Sequence, residues 1–272
     1  MPGETRESNF EYESYMMRPG KFDEQNFIQR LSRDCRIVVL TGAGISAESG
    51  IPTFRDAQAG LWSQYRPEEL ASPEGFRKNP KLVFDWYASR RQKVLESRPN
   101  PGHQILASWE KQFPYLTLIT QNVDGLHQAA GSEQVIEMHG SIHRLVCLKE
   151  RHPSPWVAAG ASVPLCTRCQ SPLRPDVVWF GEMIDRMILQ RISRALAQCE
   201  IFIAVGTSGV VYPAAGFLDE AQAASALTVV INKEEVAVER ADLFLQGSAS
   251  EVLQRLQSAW NQRDQGTDSP AR

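Results

Sequence analysis

The sequence has no apolar run near the roughly 20 residues a bilayer-crossing helix needs, so no membrane-spanning segment is expected. It also lacks a recognisable leader. The opening MPGETRESNFEYESY carries several Glu and no apolar core, unlike a secretory signal or an Arg-rich transit peptide. Charge of one sign is nowhere blocked: 29 Lys+Arg stand against 32 Asp+Glu, a formal net charge of −3. That gives no electrostatic footprint for nucleic acid or an anionic membrane. Cysteine is scarce, five in 272 residues, too few for a disulfide framework. Cys35 and Cys199 adjoin apolar runs and read as buried fillers. Cys166 and Cys169 form a CxxC, which in a reducing compartment indicates metal or redox chemistry. No internal repeat is present. What remains is an ordinary globular composition, 42% hydrophobic and 22% charged, with the cytosol as the expected compartment. The length suits one medium domain, or a large domain carrying a smaller lobe.

Short continuous apolar runs of the kind a buried parallel strand needs occur at 36–40, 115–120, 134–138, 201–206 and 227–232, and more weakly at 242–246. Amphipathic stretches at 80–97, 102–112, 186–198, 213–224 and 249–260 predict helices between many of them, and 23–33 predicts one before the first strand. This alternation predicts an α/β fold with a parallel sheet covered by helices on both faces. Two stretches break it: 50–100 reads as a mostly helical insertion, and 140–180 is rich in Pro and Cys and poor in periodicity. A segment that cannot build its own apolar core often relies on a metal. Residues 1–20 are polar and predict a disordered arm, and 261–272 a flexible tail.

Ligands of such sheets bind at the carboxyl ends of the strands, and polar motifs cluster there. Gly42-Ala43-Gly44 follows the first strand and suits close backbone approach to a pyrophosphate. The spacing is not GxGxxG, and the region where a dehydrogenase would place its ribose-binding acid reads as helix. Gln121, Asn122 and Asp124 follow the second strand, and amides with a carboxylate suit ribose hydroxyls and an amide. His139 follows the third, and His is the side chain best suited to take a proton near neutral pH. Gly206, Thr207 and Ser208 follow the fourth, and Asn232 and Glu234 the fifth. The apolar run Val178, Trp179 and Phe180, closed by Gly181 and Glu182, could pair with an extended peptide. Each motif alone also has a plain structural reading: a tight turn, a helix cap, a satisfied histidine, a core strand.

Together and in order, GAGISAESGIPTFR at 42–55, TQNVD at 120–124, HGS at 139–141, VVWFGE at 177–182, GTS at 206–208 and VIN at 230–232 resemble the sirtuin family, from about residue 22 to about 258. The resemblance implies a Rossmann-like core (34–50, 100–139, 183–260) and a small lobe (about 51–99 and 140–182), within a catalytic domain of 21–260. It implies NAD-dependent removal of acyl groups from protein lysines, giving nicotinamide and O-acyl-ADP-ribose. Gly42, Ala43, Gly44, Ser46, Thr53, Phe54, Arg55, Gln121, Gly206, Thr207, Ser208, Asn232, Glu234 and Ala249 would line the NAD site. Asn122 and Asp124 would act at its nicotinamide-ribose end, and His139 would be the general base. The segment 178–182 would hold the substrate backbone. Tyr87 and Arg90 share a helix face, and their pattern resembles the branch that removes succinyl and malonyl groups. A guanidinium holds a carboxylate through two parallel hydrogen bonds, although Arg91 stands beside it.

The family's structural zinc usually has two CxxC pairs. Here Cys147, Cys166 and Cys169 remain, with Glu150 or His152 as the fourth ligand. The other possibility is a metal-free lobe packed around Trp156 and Leu165. Acyl-lysine proteins are the expected partners of a monomeric enzyme, with no nucleic acid and no membrane. Two alternatives use the same pocket: an NAD glycohydrolase or ADP-ribosyltransferase, and a non-catalytic NAD- or acyl-lysine-binding module.

Overall fold

The computed structural model describes residues 22–52, 67–158, 160–235 and 240–267. Six parallel strands form the main sheet: β1 (Ile37–Thr41), β2 (Thr117–Thr120), β3 (Val135–Glu137), β7 (Ile201–Val205), β8 (Leu227–Asn232) and β9 (Leu243–Gln246). Each coincides with one of the six apolar runs, β1 ending one residue beyond its run at Thr41. β1 and β7 are buried at every position. Alternate residues face opposite sides, and both sides are apolar. Ile37 and Val39 pack with Leu106, Trp109, Val252 and Leu256, whereas Val38 and Leu40 pack with Ile192, Phe217 and Leu218. The first group belongs to α6 (Pro101–Gln112) and α10 (Ala249–Thr267), the second to α8 (Arg186–Leu196) and α9 (Phe217–Ala223). Double-sided burial is why these strands read as continuous rather than alternating runs.

The strand order is β3-β2-β1-β7-β8-β9. The chain enters at the centre, steps outward to β3, then resumes on the other side of β1. The topological switch point therefore lies between the carboxyl ends of β1 and β7, where open α/β sheets bind ligands.

A smaller lobe interrupts this path. Its antiparallel sheet has the order β5-β4-β6, from β4 (Gly140–Cys147), β5 (Pro153–Ser154) and β6 (Leu173–Val177). Against it packs α5 (Pro80–Glu96), with α3 (Pro67–Leu70) and α4 (Pro73–Lys78) packed on α5. Asn79 opens α5 by accepting the Leu82 N–H, with Pro80 in the first turn, a favoured helix start. Phe76, Phe84, Trp86, Tyr87, Leu145 and Trp179 share the lobe's own core.

The remaining elements are α1 (Glu24–Arg30), the short α2 (Ala43–Ala47) after β1, and α7 (Leu126–Ala129) after β2. The stretch at 213–224 is not all α-helix: a 3-10 turn at 214–216 precedes α9. α10 runs on to Thr267, beyond residue 261, where the polar tail was expected to become flexible. Arg263 ties this extension down by donating to the carbonyls of Ile28 and Leu31, and Asp264 pairs with Arg33 at 2.6 Å. Cys199 is buried as expected, and burial pushes its thiol up to about 11. Cys35 is only half-buried, because it sits at the exposed approach to β1. The expected N-terminal arm and residues 268–272 lie outside the described residues. Among the described residues, no helix is long and apolar enough to cross a membrane.

Candidate active site

A cavity of about 510 Å³ lies between the sheet's carboxyl edge and the small lobe. From the sheet edge come Ala43, Ser46, Gln121, Asn122, Asp124 and His139. From the small lobe come Tyr87, Arg90 and the segment from Val178 to Glu182. Residues far apart in the chain thus meet around one apolar-walled space.

The glycines after β1 serve strand approach first. The Gly42 N–H donates to the Val205 carbonyl at 3.0 Å and the Gly44 N–H to the Gly206 carbonyl at 2.8 Å. A Cβ on Gly44 would stand 2.7 Å from the Gly206 Cα. Gly206 itself has φ 59°, and a Cβ there would meet the Ile45 nitrogen at 2.5 Å. These contacts close the switch point, and they occupy two N–H groups that the sequence reading offers to a pyrophosphate. The Ala43 N–H between them has no partner among the described residues.

The amides are ordered by neighbouring strand ends. Gln121 donates to the Thr207 hydroxyl at 2.9 Å, and Asn232 to the Thr207 carbonyl at 2.9 Å. Asn122 donates to the Gly42 carbonyl at 3.0 Å and to the Ser46 hydroxyl at 3.1 Å. Asp124 is held by the fold at both carboxylate oxygens. One oxygen accepts the Leu126 N–H at the start of α7, and the other accepts the Ser46 hydroxyl at 2.7 Å. Thr207, Ser208, Asn232, Glu234 and Ala249 follow the same sheet edge but do not line the cavity. Glu234 is exposed, and Ala249 is buried at the start of α10. Thr53, Phe54, Arg55 and the neighbouring Asp56 lie outside the described residues.

His139 stands where β3 leaves the main sheet for β4. Gly140 makes that junction possible: its φ is 81°, and a Cβ there would meet the Asp176 carbonyl at 2.1 Å. His139 Nδ1 lies 2.9 Å from the Gln121 carbonyl. A carbonyl only accepts, so Nδ1 carries the hydrogen and Nε2 keeps a free lone pair. Burial holds the His139 pKa below its usual value, with the Gln121 hydrogen bond acting the other way. The imidazole is therefore neutral, and basic at Nε2, near pH 7.

Tyr87 and Arg90 both reach the cavity. Burial raises the Tyr87 pKa to about 12, so its hydroxyl stays protonated. The Arg90 guanidinium lies 4.9 Å from the Trp86 ring centroid. No hydrogen-bonding or ion-pair partner is found for it among the described residues. Its pKa is lowered, mainly by burial, against the attraction of Tyr87 and Asp124. Arg91 turns elsewhere, to the Trp156 ring at 4.8 Å. The structure therefore separates two arginines that the sequence left side by side.

Along the segment after β6, the Val178 N–H donates to the His139 carbonyl and the Phe180 N–H to the Ala71 carbonyl. The Trp179 N–H donates to Glu182. The N–H groups of Val178, Trp179 and Phe180 are thus all used within the fold.

His103 and His127 were not singled out from the sequence. The Asn100 N–H donates to His103 Nδ1 at 3.4 Å. Its Nε2–H therefore faces the Ser46 oxygen at 3.4 Å, and Ser46 passes the chain on to Asp124. His127 Nε2 lies 2.9 Å from the Thr41 hydroxyl. The available sequence signal was Asn100-Pro101, a helix start that puts His103 at the capping position. Burial is the main cause holding both imidazoles below the usual 6.5. The unfolded chain then binds protons more readily than the folded one. Stability is full above pH 6.5 and falls as the pH drops below it. We expect the melting temperature to decrease steadily from pH 7 to pH 5, and His127→Gln to flatten that slope.

The metal question is settled between the two candidate fourth ligands. Cys147, His152, Cys166 and Cys169 bring their ligand atoms within 4.8 Å of one another. Glu150 is not among them. It is half-exposed and pairs with Lys149 at 3.4 Å, because Arg151 turns the chain back at φ 51° and brings His152 inward. The Cys147 and Cys169 sulfurs are 3.6 Å apart, and Cys166 lies 3.7 Å from His152 Nδ1. Around a tetrahedral zinc with Zn–S near 2.3 Å, sulfurs stand roughly 3.8 Å apart. Backbone N–H groups of His152 and Arg168 point at the Cys147 and Cys166 sulfurs at 3.2 and 3.4 Å. The donor set fits a structural zinc. Leu165, proposed to hold a metal-free lobe, is 52% exposed and contributes little packing. Purified protein should carry about one zinc per chain, and Cys169→Ser should lose it and melt earlier. Full activity with less than about a tenth of an equivalent would reject a required zinc.

The Sir2 family model matches residues 42–213. The chain belongs to the Sir2 family. It is 48% identical over 228 residues to the NAD-dependent protein deacylase of Aquifex aeolicus, covering 81% of this chain and 93% of that protein. The crystal structure of a Sir2 homolog–NAD complex superposes with a TM-score of 0.79 at 43% identity, covering 84% of this chain and 90% of the other. A Sir2 complex with a deacetylated p53 peptide and 3′-O-acetyl ADP-ribose superposes at 0.76 with 29% identity, covering 87% and 98%. Within the Sir2 fold, the cavity described above is the space between the Rossmann-like sheet and the Cys-containing lobe.

Proposed function

We propose that the chain is an NAD-dependent protein-lysine deacylase that prefers short acyl groups ending in a carboxylate. Family membership and the deacylase relatives support the reaction. One observation carries the preference: the Arg90 guanidinium, which has no hydrogen-bonding or ion-pair partner among the described residues, lines the same apolar-walled cavity as His139. A cation in such surroundings gains most from a carboxylate.

NAD, as co-substrate, would supply the ribose carbon that the acyl carbonyl oxygen bonds as nicotinamide leaves, and the ribose hydroxyl that then receives the acyl group as the lysine amine departs. The chain's residues do the rest. Asn122 and Asp124, braced by Ser46, hold polar groups over the carboxyl ends of β1 and β2. Thr207, tied to Gln121 and Asn232, extends that polar edge toward β8. His139 Nε2 takes a proton from a ribose hydroxyl, which makes the oxygen nucleophilic toward the acyl carbon. The Nδ1 hydrogen bond to Gln121 keeps the required tautomer. Arg90 and the Tyr87 hydroxyl hold the distal carboxylate. The aliphatic part of the acyl chain lies against apolar walls that exclude water.

The test uses two matched peptides, acetyl-lysine and succinyl-lysine, incubated with and without NAD and followed by mass spectrometry. NAD-dependent loss of succinyl faster than acetyl is expected. Faster acetyl loss would retain the deacylase and discard the acidic-acyl preference. Free ADP-ribose without deacylation would favour a glycohydrolase instead.

A further inference from the structure

Arg174 is charged, yet it is 2% exposed, inside a lobe core of aromatic and aliphatic side chains. A buried guanidinium persists only when its donors are used, and here they are. It forks onto Glu182, Nη1 to Oε1 at 2.5 Å and Nη2 to Oε2 at 2.9 Å. Nη2 also donates to the Val177 carbonyl at 2.5 Å. The guanidinium carbon lies 3.3 Å from the Trp179 ring centroid. Glu182 Oε2 accepts the Trp179 backbone N–H at 2.8 Å. The pair therefore grips Trp179 twice, on its ring face and at its main chain. Phe76 closes the cage, with ring centroids 5.3 Å apart.

The caged indole has one polar atom, and that atom acts on the acyl pocket. Trp179 Nε1–H donates to the Tyr87 oxygen at 3.0 Å. A phenol oxygen has one hydrogen to give and can accept others. With the indole filling the acceptor side, the hydroxyl hydrogen must be given elsewhere. Among the described residues no acceptor is paired with it, and Tyr87 lines the cavity together with Arg90. Its raised pKa keeps that hydrogen in place.

We propose that Arg174 and Glu182 are positioning residues for acyl selectivity: they lock Trp179 so that its indole N–H commits the Tyr87 hydroxyl to donate toward the distal carboxylate of the acyl group. The inference rests on the acidic-acyl reading of the same cavity. Arg174 does not line the cavity, and Glu182, which does, has both carboxylate oxygens engaged by Arg174. They act through Trp179, and the consequence is on ground-state binding of an anionic acyl group rather than on acyl transfer.

Kinetics of succinyl- and acetyl-lysine peptides test this in the full chain. Trp179→Phe keeps an aromatic ring at the position and removes the N–H, together with part of the indole's buried volume; that packing loss is common to both peptides, so the ratio of their KM values is the readout. The ratio of the succinyl KM to the acetyl KM should rise about three- to tenfold, the value of one hydrogen bond. Arg174→Lys, which keeps the charge but loses the fork, should move the ratio in the same direction. In a Tyr87→Phe background, Trp179→Phe should add little, since no hydroxyl is left to orient. Equal rises in both KM values, a loss confined to kcat, or additive effects in the double variant would each overturn the proposal. Should Arg174→Lys fail to fold, Trp179→Phe alone decides. A wild-type enzyme with no succinyl preference would instead bring down the acidic-acyl reading beneath it. Wild-type preference with an unmoved ratio in Trp179→Phe would remove only the positioning role.

Discussion

His139→Ala is expected to lower deacylation about a hundred- to ten-thousandfold, the usual worth of a positioned general base. The variant removes the only imidazole lining the cavity among the described residues. Neighbouring amides and Asp124 do not replace it, because Asp124 is already engaged by Ser46 and the Leu126 N–H. The same assignment fixes the sign of the pH dependence. Burial depresses the His139 pKa, so the base form is present above that pKa and activity falls as the pH drops through it. In the wild type, the acid limb of kcat/KM should have its midpoint below 6.5. Product formation followed by mass spectrometry across pH checks both points. Turnover within about threefold of wild type in His139→Ala would remove the residue from the base role.

Arg90→Met should cut desuccinylation by more than about tenfold relative to deacetylation, since a charge-assisted hydrogen bond contributes roughly 1.5–3 kcal/mol. Methionine preserves an unbranched apolar stem in the pocket, so lost charge is separated from lost packing. In the wild type, burial opposes the Arg90 charge, and a bound carboxylate offsets that desolvation. Arg91→Met is the matched control, because Arg91 stacks on Trp156 outside the cavity lining. Equal loss of both acyl activities in Arg90→Met would assign Arg90 to the architecture of the lobe rather than to selectivity. The two variants probe different stages of the proposed reaction: loss of His139 should affect transfer of any acyl group, whereas loss of Arg90 should affect discrimination among acyl groups before transfer.

Much of this was legible in the chain because the signals are local. Six apolar runs became the six parallel strands, since a strand buried on both faces has no polar face to show. The polar motifs after those runs landed at the carboxyl edge because a parallel sheet sends every strand end the same way. Tyr87 and Arg90 shared a face because helical periodicity dictates it. The cysteine arithmetic left two options for a fourth ligand and could not choose between them. Glu150 and His152 are both chemically competent, and the backbone turn at Arg151 decided for the histidine.

The sequence by itself determined the fold class, the order of the strands along the chain, the sheet edge where the polar motifs gather, and the family. It did so because hydrophobic runs, turn residues and strand-end motifs act over a few positions. Only the tertiary structure decided which distant groups meet. It showed that Gly44 abuts Gly206 across more than 150 residues, as the 2.7 Å approach requires. It placed Arg90 in the cavity and Arg91 on Trp156. It turned Arg174 from an arginine in a Pro-rich stretch into the hub beneath Trp179, whose indole reaches Tyr87 across 92 positions. Such contacts depend on how two lobes pack, and packing complementarity leaves no periodic trace in a single chain.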